Sequence, residues 1–87
     1  MQEEIEMIRN NIASKLRGLR AEKNCSQKEI ALQTGLDIAT IARYENGNTT
    51  QSLDKLVILA KYYGVNLLYF FNQNYENMYR NQEIKEE

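Results

Sequence analysis

Ile5, Ile8, Ile12, Leu16 and Leu19 recur at spacings of three and four, the period of one helix face. That stripe predicts a helix from about Glu3 to Lys23. Gly18 costs it roughly 1 kcal/mol relative to alanine but leaves the spacing intact. Ahead of Ile12 the pattern fits either a helical extension or a frayed arm. Ser26 to Glu29 reads S-x-x-E, a capping box, and opens a second short helix. Cys25, just before the cap, suits a packing position. Gly35 sits where the turn to the next helix needs a left-handed residue. A third helix runs from Ile38 to about Glu45, with Asp37 placed to cap it and Asn46-Gly47 to stop it. After a polar loop, Ser52 is placed to cap a fourth helix carrying Leu53, Leu56, Leu59, Ala60 and Tyr63, which ends at Gly64. Asn66 can cap a short fifth helix through Phe71. Tyr75, Met78 and Tyr79 keep helical spacing, which leaves room for a sixth, and the final QEIKEE reads as loose. Nowhere do apolar and polar residues alternate as in a strand, so the fold class is all-α.

The 87 residues support one domain. It divides into a short N-terminal helical extension (1–11), a compact core domain (12–71) and a polar tail (72–87). Proline is absent, Cys25 is the single cysteine, and there is no histidine. This excludes a disulfide framework, the familiar metal sites and histidine-based acid–base catalysis. Paired carboxylates such as Glu3/Glu4 and Glu86/Glu87 fall in terminal segments, where no pocket shifts their ionisation. The expectation is therefore a protein that is not an enzyme, with no cofactor, no metal and no small-molecule ligand. No apolar run approaches ~18 residues and the N-terminus is acidic, so neither a membrane span nor a signal peptide is expected. The default compartment is the cytoplasm.

Net charge is −1, but the charge is unevenly spread. Arg9 to Arg43 holds seven basic and three acidic residues, an excess of four positive charges. The acidic excess lies on either side of that segment. A positive field is thus concentrated on the span that contains the helix–turn–helix pattern, the arrangement expected of a nucleic-acid binder rather than of a uniformly solvated surface.

From Ile12 to Phe71 the chain resembles the lambda-repressor-like helix–turn–helix domains, the Cro and phage-repressor (XRE) type. The resemblance is carried by LRGLRAEKNCSQKEIALQTGL, IARYENG and SLDKLVILAKYYGVNLLYFF. It implies a five-helix fold and sequence-specific binding of double-stranded DNA as a homodimer that regulates transcription. Leu36, Ile41 and Tyr44 would face the core. Ile38, Ala39, Ala42 and Arg43 would face the bases, with Thr40 beside them able to bond a base or a phosphate. Relatives often carry polar readers at the first two of these positions; Ile38 and Ala39 can offer only contact with thymine methyls, while Arg43 suits guanine. Gln27, at a helix N-terminus, would clamp a phosphate, with Lys28, Asn46, Asn48, Thr49 and Thr50 as further phosphate contacts. Arg20 and Glu45 would form a structural ion pair tying the first helix to the third.

Relatives usually place charged residues at the positions of Ile58, Leu68 and Tyr69. Here these are apolar, and Tyr62 lies four residues beyond Ile58 on the same face. A dimer interface over Ile58, Tyr62, Leu68 and Tyr69 accounts for them; the alternative is that the tail folds back over the patch. The functional expectation is a small transcriptional regulator, most simply a repressor, acting on a near-palindromic operator. A controller protein of a restriction–modification system and an antitoxin or other protein-interaction module are the competing readings.

Overall fold

The computed structural model describes residues 1–71. Within them the order is α1 (Gln2–Lys23), α2 (Gln27–Thr34), α3 (Ile38–Asn46), α4 (Leu53–Tyr63) and a short 3-10 helix (Leu67–Phe70). No strand occurs among the described residues.

Residues 1–11 continue straight into the core domain. They form the first half of α1, which runs 22 residues without a break, Gly18 included. Glu3 and Glu4 lie in its first turn and Arg20 and Lys23 in its last, the order that the helix dipole favours. The helix ends at Asn24, which takes the left-handed conformation (φ 57°) and donates its N–H to the Ala21 carbonyl, while the Cys25 N–H donates to that of Arg20.

The expected fifth helix is a single 3-10 segment of four residues. Asn66 Oδ1 accepts from the Leu68 N–H, and Tyr69 and Phe71 donate to carbonyls three residues back, Asn66 and Leu68. The tighter i→i+3 pattern closes this turn. The sixth helix considered around Tyr75, Met78 and Tyr79 lies outside the described residues.

One core joins all five elements. Ile12, Leu16 and Leu19 from α1 meet Ile30 from α2, Ile41 and Tyr44 from α3, Leu56, Leu59 and Ala60 from α4, and Phe70 from the 3-10 helix. Full burial of each large side chain stabilises by about 1.5–3 kcal/mol. α1 packs most extensively on α3. This matters because α3 is short and amphipathic: its inner face is bolted to the longest helix, and its outer face is left free. No helix among the described residues is long and apolar enough to cross a membrane.

Candidate nucleic-acid interface

The α2–turn–α3 unit is built by local sequence. Ser26 Oγ accepts from the Glu29 N–H at 3.1 Å, and the Glu29 carboxylate accepts from the Ser26 N–H at 2.8 Å. Both halves of the capping box are formed, which fixes where α2 begins. α2 ends at Gly35, φ 78°, where a side chain would be strained. Thr34 Oγ1 then accepts from the Leu36 N–H, guiding the chain into α3. Asp37 stands at the N-cap of α3, but its side chain makes no capping bond.

On α3, Ile41 and Tyr44 are buried and Leu36 before it is half-buried. Ile38, Ala39 and Arg43 are exposed and Ala42 is half-buried. Thr40 departs from the sequence expectation. It is 8 % exposed, so it faces the interior and does not share the exposed side of α3 with Ile38, Ala39 and Arg43. Its spacing explains this: Thr40 lies four residues after Leu36 and four before Tyr44, on their stripe rather than on that of Ile38. Its hydroxyl instead accepts a long, 3.4 Å bond from Arg43, which lays that guanidinium back along the helix.

Arg20 and Glu45 meet. Arg20 Nε lies 2.9 Å from Glu45 Oε2 and 3.1 Å from Oε1. The two side chains are 28 % and 4 % exposed. The hydrogen bond to Glu45 holds the Arg20 guanidinium above its ordinary range, with burial working the other way. Gln27 joins the same carboxylate, its Nε2 donating to Oε1 at 3.0 Å. The first residue of α2 is therefore tied to the end of α3, with one of its two amide N–H groups used and the other left for a further acceptor. Tyr63 lies close by, and burial pushes its phenol well above its usual value, the negative charge of Glu45 adding to the effect.

Lys28, Asn46, Asn48 and Thr50 are exposed and Thr49 is half-buried. They lie at the start of α2, at the end of α3 and in the loop after it, flanking the exposed side of the unit. Of the apolar patch residues, Ile58 and Leu68 are exposed, whereas Tyr62 and Tyr69 are half-buried against the core. Lys23 Nζ stands 4.9 Å from the Tyr62 ring centre and Lys15 Nζ 4.1 Å from that of Tyr69, so each ring carries a cation on its face. The Tyr62 hydroxyl also lies 3.6 Å from Cys25 Sγ, which places the half-buried thiol in a packing contact.

Two further residues, Arg17 and Gln51, hold the unit and were not singled out by sequence. An Arg17 Nη1 donates to the Glu45 carbonyl, satisfying the end of α3. Gln51 is 6 % exposed, and its Nε2 donates to the carbonyls of Tyr44 and Arg9, both at 3.1 Å. Ser52, expected to cap α4 with its hydroxyl, makes no such bond. Its Oγ lies 3.0 Å from the Tyr44 hydroxyl, and its N–H donates to that hydroxyl at 3.0 Å. The tyrosine outcompetes the cap because it is already fixed in the core beside Ser52. Among the described residues no group of three or more His, Cys, Asp or Glu side chains could hold a metal ion.

No solved structure matches the chain significantly. The cryptic phage CTXphi transcriptional repressor RstR of Vibrio cholerae is 40 % identical over 53 residues, which are 61 % of this chain and 48 % of the repressor. The chain thus spans about half the length of that curated relative. The helix-turn-helix family matches residues 16–70, from the middle of α1 through the 3-10 helix, and so takes in the whole α2–turn–α3 unit with the Arg20–Glu45 pair. On that match the chain belongs to the helix-turn-helix family, of the phage-repressor type that its motifs resemble.

Proposed function

We propose that this chain is a sequence-specific DNA-binding transcriptional regulator, a repressor, in which α3 lies in the major groove of an operator. The observation that carries the reading is the division of α3. Ile41 and Tyr44 are locked in the core while Ile38, Ala39 and Arg43 form an unburied stripe beside a glutamine held at the start of α2. Ile38 and Ala39 contact thymine methyls, and Arg43 supplies the hydrogen-bonded readout of a guanine, worth about 1–3 kcal/mol of discrimination. Arg43 reaches the base by releasing its long bond to Thr40. Gln27, Lys28, Asn46, Asn48, Thr49 and Thr50 take the phosphates on either side. The repressor relative supports the transcriptional role for the segment they share.

The protein acts as a homodimer in this reading, through the face that carries Ile58, Tyr62, Leu68 and Tyr69. Two-fold symmetry then sets two half-sites about 34 Å apart on a near-palindromic operator. Binding to chromosomal or phage DNA places the protein in the cytoplasm.

Selection of duplexes from a random pool, followed by titration of the winner over a range of salt, tests the proposal. The expected outcome is a symmetric site and a log–log salt slope of roughly −2 to −5, set by the few cations beside the stripe, Lys28 and Arg43 foremost. Arg43→Ala should relax preference at one base pair per half-site. A flat salt response with no enriched sequence would reject DNA binding and favour a protein-interaction module.

A further inference from the structure

The apolar stripe of α1 outruns its cover. Ile12 is buried in the core, yet Ile5, two helical turns earlier on the same face, is 41 % exposed. Leu53, at the start of α4, is 61 % exposed. Ile5, Ile8, Leu53 and Phe71 together line an open groove of about 200 Å³, and Gln51 lines it with them.

Gln51 is a fixed part of the groove's floor. Its Nε2 is committed to the carbonyls of Tyr44 and Arg9, so its amide cannot turn, and its Oε1 is buried away from the open side. The surface that the groove offers is therefore almost wholly apolar, and it asks for an apolar occupant.

Such groups stand close by in the chain. Phe71 is both a wall of the groove and the last described residue, and the sequence continues through residues 72–87. Tyr75 follows four residues later, then Met78 and Tyr79. Four residues reach at most about 14 Å, enough to return to a groove that begins at Phe71 itself. Tyrosine rings and a methionine side chain bring the large apolar surface that such a groove accepts.

We propose that this groove is the docking site for residues 72–87 of the same chain. Tyr75, Met78 and Tyr79 are the apolar anchors. Thr50, in the loop proposed to hold a phosphate, borders the same groove, so the docked segment backs that loop.

The test uses the full 87-residue chain with the photo-crosslinker p-benzoylphenylalanine in place of Leu53. Isotopically light and heavy chains are mixed before irradiation, and the products are mapped by mass spectrometry. Cross-links from position 53 to the 75–79 peptide, pairing light with light and heavy with heavy only, are the expected result. Mixed light–heavy products would assign the groove to a second copy and overturn the proposal, as would cross-links that miss this segment. As a second measurement, Tyr75→Ser, Met78→Ser and Tyr79→Ser combined should lower Tm by at least about 4 °C. An unchanged Tm would overturn it. Neither readout depends on whether the chain binds DNA.

Discussion

Removing Arg20 should damage the fold more than removing Glu45, although the two make one ion pair. Arg20→Ala leaves the Glu45 carboxylate in place with 4 % of its side chain exposed and only the Gln27 amide still donating to it. Breaking a buried pair from one side costs about 3–5 kcal/mol, and the depth of Glu45 puts this variant at the upper end. Glu45→Ala strands a guanidinium that is 28 % exposed and keeps its bond from Nη1 to the Cys25 carbonyl at 3.2 Å. That group can reach water, so its loss should fall lower, about 2–3 kcal/mol. A domain of this size has on the order of 5–10 kcal/mol in total, so the assay is urea unfolding at 15 °C, followed by far-ultraviolet circular dichroism, with the midpoint and slope both fitted. The double variant should cost less than the two singles together by about 2 kcal/mol, the signature of a direct interaction. A cost below about 1 kcal/mol for Arg20→Ala, or a greater cost for Glu45→Ala, would show that the carboxylate is hydrated and the reasoning wrong.

Replacing the pair by apolar residues, Arg20→Leu with Glu45→Met, should restore stability to within about 1–2 kcal/mol of the parent in the same assay; a loss as large as that of Arg20→Ala would refute the desolvation argument. Gly47→Ala should cost more than Gly35→Ala. Both glycines have positive φ, 73° and 78°, which penalises alanine by about 1–2 kcal/mol. Only at Gly47 would the new Cβ also meet an atom, Asn10 Oδ1 at 2.5 Å, and the added Asn10→Ala change should recover the difference; equal costs would remove that contact from the account. Tyr63 sets the alkaline limit. Its phenol is raised in the folded state, so above pH 10 the unfolded chain gives up the proton first and stability falls as pH rises. Tyr63→Phe should make that decline shallower between pH 9 and 11, and an identical slope would exclude Tyr63 as its source.

How much of this could be read from the sequence depends on whether a feature is local. The capping box at Ser26 and Glu29 and the left-handed glycines 35, 47 and 64 are decided within a few residues, and each ends or starts a helix where the sequence places it. The inward stripe of α3 is also local, and Thr40 was legible there: its four-residue spacing to Leu36 and Tyr44 is in the sequence, but its polarity pulls it towards the reading face. Ser52 is a different case. A serine before a helix is a sound cap, and only the approach of Tyr44 from another element diverts its hydroxyl. Gln51 and Arg17 carried no sequence signal at all. One lies in a polar loop and the other on a charged helix face, and each becomes structural only because the end of α3 arrives with carbonyls to satisfy.

These contacts share a location: they hold one end of α3 and leave the other free. Arg20, Arg17, Gln51 and the Tyr44–Ser52 pair all grip the last turn of α3 or the residues beside it. The first turn has no comparable restraint: Asp37 leaves it without a side-chain cap, and Ile38 and Ala39 project into solvent. A buried carboxylate is a costly way to join helices, since well-packed apolar residues often do so at no loss of stability. What an apolar pair cannot do is accept from Gln27. Glu45 thus fixes both the angle of α3 against α1 and the direction of the Gln27 side chain at the start of α2. On the DNA-binding reading, the geometry of the reading helix is set at its far end, so Ile38, Ala39 and Arg43 can change with little effect on the fold. Their identity then answers to the operator rather than to packing, which is why an isoleucine stands exposed at the head of a helix whose other large apolar residues are inside.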